Sequence, residues 1–222
     1  MTDQNNFDST PQELAELKRL IRRKWPEATG LASERLNLAF STGLPSLDNL
    51  FPHRGIPCGQ LIEFTGGPSS GKTTLVFTIL AALVRNGRAV YIDLSGSFFP
   101  AAAAACGVDL TRLLTVSPAN APAALRVAEL LLHHNAAAWI VLDLVGQRIP
   151  LPVIMLHRLR LKATRARSLV FFLTENNSAI IPPSMAALRL AISRRNDTIL
   201  TATVTRSRIS REGVTVEVPC HG

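Results

Sequence analysis

Gly66-Gly67-Pro68-Ser69-Ser70-Gly71-Lys72-Thr73-Thr74 satisfies the pattern GxxxxGK[ST], a spacing whose chemistry is the grip of a nucleoside triphosphate. Its glycines let backbone N–H groups turn inward around a phosphate, and the start of the following helix adds a positive dipole end. Lys72 is placed to reach the β- and γ-phosphates and the Thr73 hydroxyl to ligate Mg²⁺. A second part is Trp139-Ile140-Val141-Leu142-Asp143, an apolar run ending in a carboxylate that can hold the water shell of the magnesium.

The phosphate reading requires a strand before the glycines and a helix after them, and both are legible. Gln60 to Thr65 reads as a strand and Lys72 to Arg85 as a helix. Beyond them, strand-like runs at Ala89–Asp93, Leu113–Val116, Trp139–Asp143 and Leu169–Leu173 alternate with helical stretches at Phe99–Cys106, Pro122–His134 and Pro152–Arg165. Such alternation predicts an α/β fold whose mainly parallel sheet is flanked by helices, with strands apolar on both faces. After residue 186, Leu188–Ser193, Ile199–Arg206 and Val214–Val218 are separated by Asn196-Asp197 and Glu212-Gly213, which predicts an antiparallel finish. Upstream, Thr10, Pro11 and Glu13 form a helix start, and Leu14, Leu17, Leu20 and Ile21 recur at helical spacing as far as Lys24. The expected organisation is a tail, amphipathic helix and linker over 1–30, then a nucleotide-binding core over 31–222. The helix either packs on its own core or carries a contact to another protomer.

Of 222 residues, 47% are hydrophobic, enough for one sizeable core. Cys58, Cys106 and Cys220 are odd in number and lack metal-ligand spacing, so reduced thiols in a cytoplasmic protein are expected. No apolar run is long enough to span a bilayer. The net charge of +8 is uneven: Arg148 to Arg211 holds twelve basic residues against Glu175 and Asp197. A basic surface of this kind suits a polyanion, although 20 Arg to 4 Lys would also follow from base composition. Arg158, Lys162 and Arg165 share one face of a helix, and fit either a solvated face or contact with single-stranded DNA.

Ser41-Thr42-Gly43, Leu47-Asp48, Gly55-Ile56-Pro57, Gly59-Gln60 and Glu63, followed by the phosphate loop, Tyr91 to Asp93, Gly107 to Pro118 and Ile140 to Asp143, resemble the core of the bacterial RecA recombinases. The resemblance implies a RecA-like fold binding ATP with Mg, and a role in DNA repair. Departures from the pattern matter equally. The family's catalytic glutamate falls at Ser95, and a serine hydroxyl is a poor base for activating water. Phe99 and Ala102 stand where the family contacts adenine, with Phe98 or Phe99 available as an apolar platform. Glu175 occupies the place of the nucleotide-sensing glutamine, as a substitute base or simply as the end of a strand. Both DNA-binding loops look shortened.

These features resemble the small ImuA-type accessory proteins of damage-induced mutagenesis. That resemblance implies a nucleotide-dependent regulator with ATPase activity very weak or absent. Its implied partners are the RecA recombinase and the inactive Y-family polymerase relative ImuB, with single-stranded DNA as a further ligand and a homo-oligomer as a further state. The rival readings are an active DNA-dependent ATPase and a protein-only inhibitor. Ser95 and the short loops count against the first, the intact phosphate loop against the second.

Overall fold

A computed structural model of the protein describes residues 39–176 and 180–220, together with Glu16, Arg19, Leu20, Arg23 and Lys24. The apolar runs form the centre of one eight-stranded sheet. In chain order its strands are β3 (Leu61–Thr65), β4 (Ala89–Asp93), β5 (Leu113–Val116), β6 (Trp139–Asp143), β7 (Leu169–Thr174), β8 (Leu188–Arg194), β9 (Ile199–Ser207) and β10 (Thr215–Pro219). Across the sheet the order is β10-β9-β8-β3-β7-β6-β4-β5. A two-stranded pair, β1 (Ala39–Phe40) with β2 (Ile56–Pro57), precedes it. β3, β4, β6 and β7 are buried along their whole length, as expected of strands covered on both faces.

The three late strands form the antiparallel finish that the sequence predicts, β8 joining it to the parallel part of the sheet. β8 pairs parallel with β3 on one side and antiparallel with β9 on the other, and β10 pairs antiparallel with β9, so β9 is the strand that runs against its neighbours. The turn residues Asn196-Asp197 and Glu212-Gly213 signal the reversals after β8 and β9, but no local signal reports the direction of β8 itself.

Among the continuously described residues, five α-helices, α1 (Pro45–Asp48), α2 (Lys72–Leu83), α3 (Pro100–Ala105), α4 (Ala121–His133) and α5 (Val153–Ala166), flank the sheet. α2 buries Leu75, Val76, Ile79 and Leu80 in a core shared with Phe64, Tyr91, Trp139 and Phe171. α4 and α5 bury Leu125, Leu131, Leu156 and Leu159 in a second core with Ile140, Val170 and Phe172. Alternating side chains of the same strands feed the two cores, so the sheet separates them.

Glu16, Arg19, Leu20, Arg23 and Lys24 are helical, at positions of the predicted amphipathic helix; its other residues, and the linker, lie outside the described residues. The Lys24 ammonium donates to the Leu113 carbonyl at 2.6 Å, capping the edge strand β5 of its own core.

Candidate functional site

The phosphate loop leaves the buried end of β3 and turns directly into α2. Gly71, the residue before the first helical turn, has φ of +86°, a left-handed conformation that L side chains resist. A Cβ there would also stand 2.4 Å from Leu200 Cδ2 of β9, so the backbone conformation favours glycine and any larger residue would push the leucine aside as well. At Gly66 a Cβ would meet Ser70 Oγ at 2.4 Å and the Ile192 carbonyl of β8 at 2.8 Å. Gly67 is open by comparison, its nearest neighbour being Asn176 Nδ2 at 3.8 Å.

Lys72 is buried, and its ammonium donates to the loop's own carbonyls at Gly66 (3.0 Å) and Gly67 (3.2 Å). Burial lowers its pKa below 10.5, with the carboxylates of Asp143 and Glu175 acting in the opposite direction. Ser69, Ser70, Gly71, Lys72, Thr73, Thr74 and Arg194 line a cleft of about 420 Å³. Within it the buried Ser70 Oγ has no hydrogen-bond partner among the described residues. A cationic cleft with exposed helix-start amides and an unmatched hydroxyl fits a phosphate group.

Asp143 ends β6 beside Asp93, which ends β4. The Asp143 Oδ2 accepts from Tyr91 Oη at 2.7 Å and from Ser97 Oγ at 3.3 Å, and its Oδ1 accepts from the Val145 amide at 3.1 Å. Asp93 folds the following turn upon itself: Oδ1 accepts from Ser95 Oγ (3.1 Å) and the Ser97 amide (3.2 Å), and Oδ2 from the Phe98 amide (3.0 Å). Ser95 and Ser97 share a further hydrogen bond at 2.6 Å. Ser95 therefore serves a hydroxyl network around the two aspartates. With Thr73 half-buried at the cleft and Asp143 fixed in orientation, these two residues are the ones that would hold a magnesium ion.

Three residues join the site that local sequence did not single out. Arg194, at the end of β8, lines the cleft and donates from Nε to the Ser69 carbonyl at 3.4 Å. Asn176 stands beside Gly67. Tyr91 orients Asp143, and burial together with that carboxylate pushes its phenol pKa far up. Glu175 directly follows β7, where its carbonyl accepts from Thr65 Oγ1 at 2.8 Å, and its carboxylate also acts on Lys72. It thus belongs to the loop's electrostatic surroundings as well as to the strand end. The two phenylalanines separate: Phe98 packs on Tyr91 and Phe77, whereas Phe99 is 63% exposed.

Arg158, Lys162 and Arg165 do not gather at this cleft. Arg158 Nη2 and Lys162 Nζ both reach Oε2 of the buried Glu129 on α4, at 2.9 and 3.0 Å, joining α5 to its neighbour. Arg165, near the end of the same helix, is exposed and makes no ion pair among the described residues. The shared face is therefore part structural tie and part free surface.

A protein-family model for the RecA N-terminal domain matches residues 30–155. Similar curated proteins include Protein RecA of Chloroflexus aurantiacus, 40% identical over 54% of this chain and 35% of the relative. Protein RecA of Rhodopirellula baltica is 39% identical over 54% of this chain and 32% of the relative. That of Mycoplasma genitalium is 37% identical over 50% and 33%. The chain thus spans about a third of the length of these relatives. A crystal structure of the RadB recombinase superposes with a TM-score of 0.64 over 80% of this chain and 94% of that one, at 20% identity.

Proposed function

Because the chain belongs to the RecA N-terminal domain family, we propose that it is a cytoplasmic, ATP- and Mg-binding accessory protein of DNA repair. In this reading the triphosphate sets a conformation and is turned over slowly. The loop Gly66–Thr74 with Lys72 and Arg194 receives the phosphates, while Thr73 and Asp143 hold the magnesium, which neutralises phosphate charge when bound. One observation carries the reading: a complete phosphate cleft lies beside a carboxylate pair whose neighbouring turn has Ser95, not a glutamate, tied to Asp93. Binding and charge neutralisation are supplied, and water activation is not.

The finer assignment, an ImuA-type regulator of damage-induced translesion synthesis working beside RecA and the polymerase relative ImuB, draws its support from the short loops and from Ser95. Single-stranded DNA enters this reading only as a weak, salt-dependent ligand. Of the three basic residues expected to meet it, Arg158 and Lys162 are engaged by Glu129, and Arg165 makes no ion pair among the described residues. Calorimetry with Mg-ATP and multiple-turnover hydrolysis, with and without single-stranded DNA, test the proposal. It expects binding, slow hydrolysis and no stimulation. Absence of Mg-triphosphate binding at millimolar concentration would overturn it, as would hydrolysis stimulated by DNA.

A further inference from the structure

α5 has one face committed and one open. Leu156, Leu159 and Ala163 are wholly buried against α4 and the sheet. Its outward side shows Val153, Ile154 and Leu161 at 54%, 69% and 46% exposure, and Ile149 in the preceding loop at 79%. Seven residues separate Ile154 from Leu161, about two helical turns, so they lie on one stripe that continues to Arg165. Large aliphatic groups repeated along a stripe differ from singly scattered exposed ones, which need no explanation.

The charge along this stripe has one sign. Between Asp143 and Glu175 the sequence has no acidic residue, while Arg148, Arg158, Lys162 and Arg165 are basic. Glu129 faces this group from α4, but its side chain is only 6% exposed and is taken up by Arg158 and Lys162. The tie holds those two cations in place beside the apolar stripe, and the Arg158 side chain stays 59% exposed. A nucleic-acid strand would meet the cations but not the flat aromatic groups on which bases stack. The strongly exposed aromatic among the described residues, Phe99, precedes α3, which packs in the other core.

We propose that the outward face of α5 is a docking surface for an acidic amphipathic helix of a partner protein. Apolar residues of that helix cover Ile154 and Leu161, and its carboxylates meet Arg158 and Arg165. Helix recognition of this kind uses anchors at i, i+4 and i+7, and the all-basic border selects a partner of opposite sign. The surface supplies the protein contact of the function proposed above and rests on that reading only there, since the nucleotide cleft is made of other residues.

The test uses the full chain and a display library of helix-forming peptides about four turns long. Selection is on the wild-type protein, with counter-selection on the double variant Ile154→Ser, Leu161→Ser. Enriched peptides should be acidic with apolar residues at i, i+4 and i+7, and should lose about tenfold or more in affinity on the double variant and on Arg165→Glu. Mg-ATP affinity and the melting temperature of both variants should match wild type, separating this proposal from the nucleotide reading. Four results would overturn it: no enrichment, enriched peptides that bind the double variant equally well, self-association of the wild type abolished in the double variant, or oligo-dT binding lost with the same substitutions.

Discussion

The two sides of the cleft are built to different standards. On the side of β3 and α2, every feature serves a phosphate: glycines where no Cβ fits, a buried lysine, and an unmatched serine hydroxyl. On the side of β4 and β6, Asp93 and Asp143 are held by hydroxyls and amides of their own neighbourhood, and the turn between Asp93 and Phe98 closes on itself. The difference teaches that binding and turnover are carried by separate strands of one sheet. A chain can keep the first while the second is reduced to an orienting network.

The largest effect expected is on the first side. Lys72→Ala removes a charge-assisted donor and should lower Mg-ATP affinity on the order of 10²-fold by calorimetry, with the fold retained because a buried ammonium is costly in itself. The other side is sharpened by Ser95→Glu, which should raise hydrolysis about tenfold, below the 10²–10⁴ range of a well-placed base. The shortfall comes from the need to break the Ser95 bonds to Asp93 and Ser97. Glu175→Gln should change the residual rate only about twofold to threefold, by altering the field at Lys72. If it abolishes hydrolysis, Glu175 is the base and the contrast between the two sides collapses. Tyr91→Phe should raise the magnesium concentration needed for half-maximal nucleotide binding about threefold, since one neutral hydrogen bond orienting Asp143 is lost.

A smaller effect concerns pH. Burial lowers the pKa of Lys72 in the free protein, and a bound phosphate favours its charged form. Nucleotide binding should therefore take up protons at alkaline pH, below the 10.5 of an exposed lysine, and weaken as pH rises further. Calorimetry in buffers of different ionisation enthalpy reads this uptake, and Lys72→Ala should remove it.

Much of this architecture was legible from local pattern. β4, β5 and β6 begin and end where the apolar runs do; for β4 and β6 this is because strands buried on both faces leave uninterrupted apolar signals. The phosphate loop was legible because the residues that carry its chemistry, glycines and a lysine, fall within nine consecutive positions, although what crowds Gly66 and Gly71 includes Ile192 and Leu200 of distant strands. Arg194 was not, since it reaches Ser69 only through the parallel pairing of β8 with β3, a contact between distant segments. The same limit applies to Arg158 and Lys162: helical spacing puts them on one face, but only the packing of α4 against α5 supplies Glu129. β1 and β2 are two residues each, too short for any periodicity. Phe98 and Phe99, adjacent and identical in type, diverge solely through the turn that Asp93 organises.

The contacts beneath the phosphate loop carry one more consequence. Gly71 sits against Leu200, and Gly66 against the Ile192 carbonyl, so the loop rests on β8 and β9 as on a floor. Ligand grip at one end of the chain's core is thus mechanically hostage to a hairpin more than a hundred residues downstream. A larger side chain at Leu200, or a slip in the β8–β9 register, would tilt the cradle without touching any residue that meets a phosphate. Damage there would present as a loss of nucleotide affinity in a protein whose helices and central strands still melt as a unit.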